Sequence, residues 1–168
     1  MAEIGAVANF LKKRYDKGDD SNILLGDFNI FKTGDATMKA LENNGFYIPE
    51  AIREPPSDLG KSKHYDQIAF QLKLEPKMIV FSEKDQRAGA FNFSETIYAP
   101  RDLDIYKQYF DDKYVVGKTD KEIEKYYLTN WRTYEMSDHL PLWIELKVDF
   151  SNQFLEKIRK TTVKVKGA

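Results

Sequence analysis

The sequence predicts an α/β (α+β) fold, and three observations point to it. Apolar residues recur at helical spacing over residues 3–15, then give way through a polar break to a short apolar run at 22–26. A second helical stretch at 35–44 precedes strand-like runs at 65–74 and 78–81. A further apolar run at 140–148 follows two short amphipathic segments. Helices and short strands interleaved in this way call for mixed layers rather than a helix bundle or an all-β sandwich. At 168 residues the chain can bury one core, so we expect one domain over 1–150, with a helix and basic tail over 151–168.

In the first helix Ile4, Val7, Ala8, Phe10 and Leu11 form the apolar face, and Lys12, Lys13 and Arg14 sit near the end where cations suit the helix dipole. The run at 22–26, bounded by turn residues, suits a buried strand. Asp35 can cap the next helix, with Met38 and Leu41 inward and Gly45 as its stop. A polar, Pro-rich loop covers 53–63, and Pro76 marks a bend between the strands at 65–74 and 78–81. Residues 83–100 read as irregular. Short helices are expected at 102–110 and 120–127, with Leu103, Tyr106, Tyr109, Ile123 and Tyr126 inward. Residues 128–134 and 140–148 read as a closing pair of strands around a turn at 135–137, ahead of a helix at 151–160.

Composition narrows the chemistry. Basic and acidic residues nearly cancel, giving a net charge of −1, so no global positive field draws in nucleic acid. The absence of cysteine removes disulfides, thiolate nucleophiles and Cys-based zinc sites. No stretch reaches the roughly 18 apolar residues of a membrane span. The start at Met1 lacks the pattern of a signal peptide, so the chain reads as soluble and cytoplasmic by default, with an upstream leader left open.

Three polar clusters sit at strand boundaries: Gly26-Asp27-Phe28-Asn29, Tyr65-Asp66-Gln67-Ile68 and Ser137-Asp138-His139. Asp27 ends its strand, whereas Asp66 and Asp138-His139 begin theirs, so antiparallel pairing would bring all three to one rim. Three carboxylates, an amide and an imidazole in one place favour a neutralising cation, and oxygen donors suit Mg²⁺ or Mn²⁺. His139 is the natural general base for a water attacking phosphorus, and Asp66 could accept its other N–H and fix the tautomer.

In this order, GDFN, YDQI and SDHLPLWIEL resemble the later motifs of the endonuclease/exonuclease/phosphatase superfamily, over roughly residues 3–146. That resemblance implies metal-dependent hydrolysis of phosphoester bonds. Asp27 and Asn29 would position the nucleophile and phosphate near the metal, and Asp66 would orient the base. Asp138 would join Asp27 as a metal ligand, and His139 would be the base. It also implies a partial DNase I-like four-layer α/β sandwich, a mixed sheet with helices on one face, lacking the N-terminal half that supplies an Asn, a Glu ligand and another His. His64, the only other histidine, matches no such position. The implied partners are a phosphoester substrate, nucleic acid included, and a complementing N-terminal half or a second copy across an uncovered sheet face.

Plainer readings stand beside these. Asp27 and Asn29 fit a strand-to-loop turn in which their side chains satisfy backbone groups. Asp138 could precede a strand as an ordinary turn residue, and Asp66 could be an edge charge. His64 reads as an exposed loop-end residue. Trp131, Tyr134, Phe91 and Phe93 could line a stacking or lipid-facing rim, but aromatics in strands are usually core. The tail residues Lys157, Arg159, Lys160, Lys164 and Lys166 read as a solvated face rather than a phosphate contact. A non-catalytic binding module that keeps the rim is the alternative to an enzyme.

Overall fold

The computed structural model describes residues 2–18, 21–73, 87–146, 151–152 and 155–156. Helix α1 (Ala2–Lys17) turns Ile4, Ala8, Leu11 and Tyr15 inward, at spacings that keep one stripe on a helix. Val7 and Phe10, expected on that face, are exposed, because the stripe in contact is narrower than the apolar residues on offer. The Tyr15 hydroxyl donates to the Leu72 carbonyl at 2.9 Å, tying the helix to the chain beyond the second strand.

Strand β1 (Asn22–Asp27) pairs antiparallel with β2 (Asp66–Gln71), Asn22 facing Gln71 and Asp27 facing Asp66. The pairing continues past β1, with Phe28 N–H donating to the Tyr65 carbonyl and His64 N–H to the Ile30 carbonyl. β1 is not the fully buried strand expected. Its burial alternates, and Ile23 and Leu25 remain 47% and 66% exposed because only one face meets the core.

Asp35 caps α2 (Ala36–Asn43): its Oδ1 accepts from the Thr37 and Met38 N–H groups at 2.9 Å, two of the donors a helix start leaves unpaired. Gly45 takes the chain out of the helix at φ +80°, where a side chain would be strained. Buried Gln71 then knits three pieces together, donating to the Asn44 carbonyl and accepting from the Asn22 side chain at 2.9 Å each. Met38, Leu41, Phe46, Ile48, Ile52, Ala69 and Phe70 fill the core with Ala8, Phe28 and Ile30, each large side chain contributing about 1.5–3 kcal/mol. Ile52 comes from the single-turn helix α3 (Glu50–Arg53).

A second cluster gathers aromatics. Helix α4 (Leu103–Tyr106), flanked by 3-10 turns at Pro100–Asp102 and Lys107–Tyr109, and helix α5 (Asp120–Tyr126) occupy the segments expected to be helical. Leu103, Tyr106 and Tyr126 are partly buried and Ile123 fully, but Tyr109 points outward at 67% exposure. The strand expected at 128–134 is helical instead. A π-helical turn over Tyr127–Trp131 runs into α6 (Arg132–Glu135), and Tyr127 and Trp131, four apart, fill the cluster with Phe110. Burial pushes the Tyr127 phenol up to about 12, with its hydroxyl donating to the Ala99 carbonyl.

The last strand, β4 (Leu142–Ile144), therefore pairs with β3 (Ala88–Ala90), inside the stretch expected to be irregular. Among the described residues the strands form two antiparallel pairs rather than one mixed sheet. The chain has a mixed α/β fold with small antiparallel sheets and several helices. The strand expected at 78–81 lies outside the described residues, as do most of the helix expected at 151–160 and the basic tail. No described helix is long and apolar enough to cross a membrane.

Candidate functional site

Asp66 opens β2 and His139 lies just ahead of β4, so the backbone delivers both to the junction of the two strand pairs. His139 Nδ1 stands 2.8 Å from Asp66 Oδ2, with both side chains about three-quarters buried, at 29% and 24% exposure. An ionised carboxylate can only accept, so Nδ1 carries the proton and Nε2 keeps its lone pair. Nε2 lies 4.0 Å from Oδ1 of the exposed Asp138.

Tyr65 stacks on the imidazole, centroids 5.2 Å apart with planes 24° from parallel, and Phe31 meets Tyr65 edge-on at 5.6 Å. Such pairs contribute about 0.5–1.5 kcal/mol each beyond area burial, enough to hold a ring's orientation. Burial opposes a charge on His139, but the Asp66 hydrogen bond and the charges of Asp66, Asp138 and Asp27 outweigh it and raise the imidazole pKa above its ordinary value.

Asp27 faces Asp66 across the ladder, yet its Oδ1 is turned back to accept the Asn29 N–H at 2.8 Å. Asn29 sits at φ +52°, a conformation Asn tolerates better than most residues, and its side chain is exposed. The turn reading of these two residues thus describes their local contacts. Asp138 reaches into solvent at 73% exposure.

The expectation of bound Mg²⁺ or Mn²⁺ is corrected by this geometry. Among the described residues no group of three or more His, Asp or Glu side chains could hold a metal ion. The donors are committed elsewhere: Asp27 to its own turn, Asp66 to His139 and Asp138 to solvent. The metal-ligand roles expected of Asp27 and Asp138 lapse with it.

Several residues escaped the sequence reading. In the sequence Tyr65 stands out only as part of its motif, and Ser57 and Asp58 fall within the Pro-rich loop expected at 53–63. A Ser-Asp-Leu-Gly run is a turn signal that would have singled out Asp58 as a loop organiser. His64, expected in the open, is half-buried, and its Nδ1 is fully buried without a hydrogen-bond partner. Of the four aromatics weighed for a rim, Phe93 and Trp131 are core, whereas Phe91 and Tyr134 are exposed at 53% and 83%. An open recess of about 560 Å³ lies beside Tyr47, Ile48 and Arg53, and no dyad residue lines it. No family model, curated protein or solved structure matches the chain.

Proposed function

We propose that this chain hydrolyses phosphoester bonds, with His139 as general base and Asp66 as the group that orients it. The observation that supports this best is the 2.8 Å contact between Nδ1 and Asp66, which leaves Nε2 free to take a proton. As a water oxygen bonds to phosphorus and the ester oxygen departs, the water's proton passes to Nε2. The imidazolium so formed is stabilised by Asp66, Asp138 and Asp27, and the leaving oxygen takes its proton from solvent. Asn29, exposed beside Asp27, has an amide able to donate to a phosphate oxygen. Three carboxylates repel a dianionic monoester more than a monoanionic diester, so the diester is the favoured substrate form.

The ordered motifs support placing the chain with the endonuclease/exonuclease/phosphatase superfamily. On that reading its strands contribute to one of the two sheets of the four-layer sandwich. The test is turnover of bis(p-nitrophenyl) phosphate by the whole chain. His139→Ala should cost about 10²–10⁴-fold in rate. Turnover that persists undiminished in that variant would remove His139 from the chemistry.

One observation favours a second reading, a binding module that turns nothing over: Asp27 and Asp138 are exposed, and among the described residues they join no group of side chains that could hold a metal ion. A diester that perturbs the His139 resonances by NMR without being cleaved would select it.

A further inference from the structure

The acid opens β2 and the imidazole, 73 residues on, lies just ahead of β4, so something must hold the two segments in register at this point. We infer that Ser57 and Asp58 are positioning residues that set the spacing between Asp66 and His139.

Ser57 is fully buried and reaches both partners. Its Oγ accepts the Asp66 N–H at 2.9 Å, and its carbonyl accepts the Leu140 N–H at 2.6 Å. Asp58 lies opposite His139 in an isolated antiparallel bridge, and the Leu59 N–H donates to the Asp138 carbonyl at 2.7 Å. Segment 57–59 is thus a short rung joining the residue that opens β2 to the residues on either side of the imidazole.

The Asp58 side chain makes that rung rigid. Its Oδ1 accepts from the Ser62 and Lys63 N–H groups at 2.6 Å each, and its Oδ2 from the Ser62 hydroxyl at 3.2 Å. The Ser57 N–H closes the loop onto the Lys63 carbonyl at 2.8 Å. At Gly60 an added Cβ would lie 2.8 Å from Asp58 Oδ2, so a side chain there would displace the carboxylate. Lys61 is held at φ +54°, a conformation the surrounding bonds must maintain.

The catalytic consequence rests on the hydrolase reading, but the positioning itself can be read without substrate. In the full chain, ¹⁵N NMR of the His139 imidazole reports its tautomer, and solvent exchange of the Nδ1 proton reports how firmly Asp66 holds it. The groups facing that ring are Asp66 on β2, Asp27 on β1, neighbouring Asp138 and the stacked Tyr65. Ser57→Ala should retain the far-UV circular dichroism of the native chain, speed Nδ1 proton exchange at least fivefold and shift the tautomer toward that of Asp66→Asn. A native tautomer with native exchange in Ser57→Ala would overturn the proposal. If that variant fails to fold, Asp58→Asn, which keeps the shape and one acceptor oxygen, decides by the same two signals. Loosening of the imidazole in the variant, alongside no diester cleavage by the native chain, upholds the positioning and fails only the hydrolase reading.

Discussion

At His139 protonation and stability are coupled. Burial works against its charge, and the hydrogen bond to Asp66 with the surrounding carboxylates more than offsets it, so the folded pKa is raised. A raised pKa means that the stabilisation is fully present below the unfolded value of about 6.5 and is lost as pH rises through the folded value. Urea unfolding between about pH 6 and about pH 9 should therefore show the native chain losing stability relative to Asp66→Asn. Equal slopes for the two proteins would contradict the linkage. On the proposed hydrolase reading the base must be the neutral imidazole, so any diester cleavage should speed up over the window in which that stabilisation fades. Asp58 behaves in the opposite sense. Burial raises its carboxyl pKa, but the Lys63 and Ser62 hydrogen bonds prevail and lower it, so its contribution persists above about pH 4 and disappears as pH falls through the folded value.

At the level of elements, the signals that act locally were the ones the sequence exposed. The Asp35 cap and the Gly45 stop of α2 depend on neighbours within a few residues. Asp35→Ala should cost about 1 kcal/mol, seen as a lower urea midpoint at unchanged slope. A loss within measurement error would mean that tertiary packing alone holds α2. Residues 128–134 misled because Leu128, Thr129, Trp131, Thr133 and Tyr134 have strand-like composition, while the demand for Tyr127 and Trp131 on one side of a helix comes from distant Phe110. The motifs indicated which acids approach His139, but not where their oxygens point; that depends on the turn at Asp27–Asn29 and on the exposure of Asp138. Ser57 was illegible for a similar reason: its bonds to Asp66 and Leu140 reach nine and 83 residues along the chain, and no periodicity encodes that.

At the scale of the molecule, the described residues form two apolar clusters, one around Ile30, Met38, Leu41 and Phe70 and the other around Phe110, Tyr127 and Trp131. The outer face of β1 leaves Leu25 and Ile23 open to solvent, and among the described residues β1 has β2 as its only strand neighbour. Exposed apolar side chains on an unpaired edge favour chain–chain association. Leu25→Lys should change stability by less than about 0.5 kcal/mol while lowering light scattering in concentrated solution. Scattering that does not respond would place the sticky surface elsewhere. The long span between Asp66 and His139 also bears on how the protein comes to be competent. Closing so wide a loop costs entropy that local helices never pay, so these two side chains meet only after most of the chain has collapsed. Partly folded molecules can carry a full complement of helix and still lack the contact between Asp66 and His139.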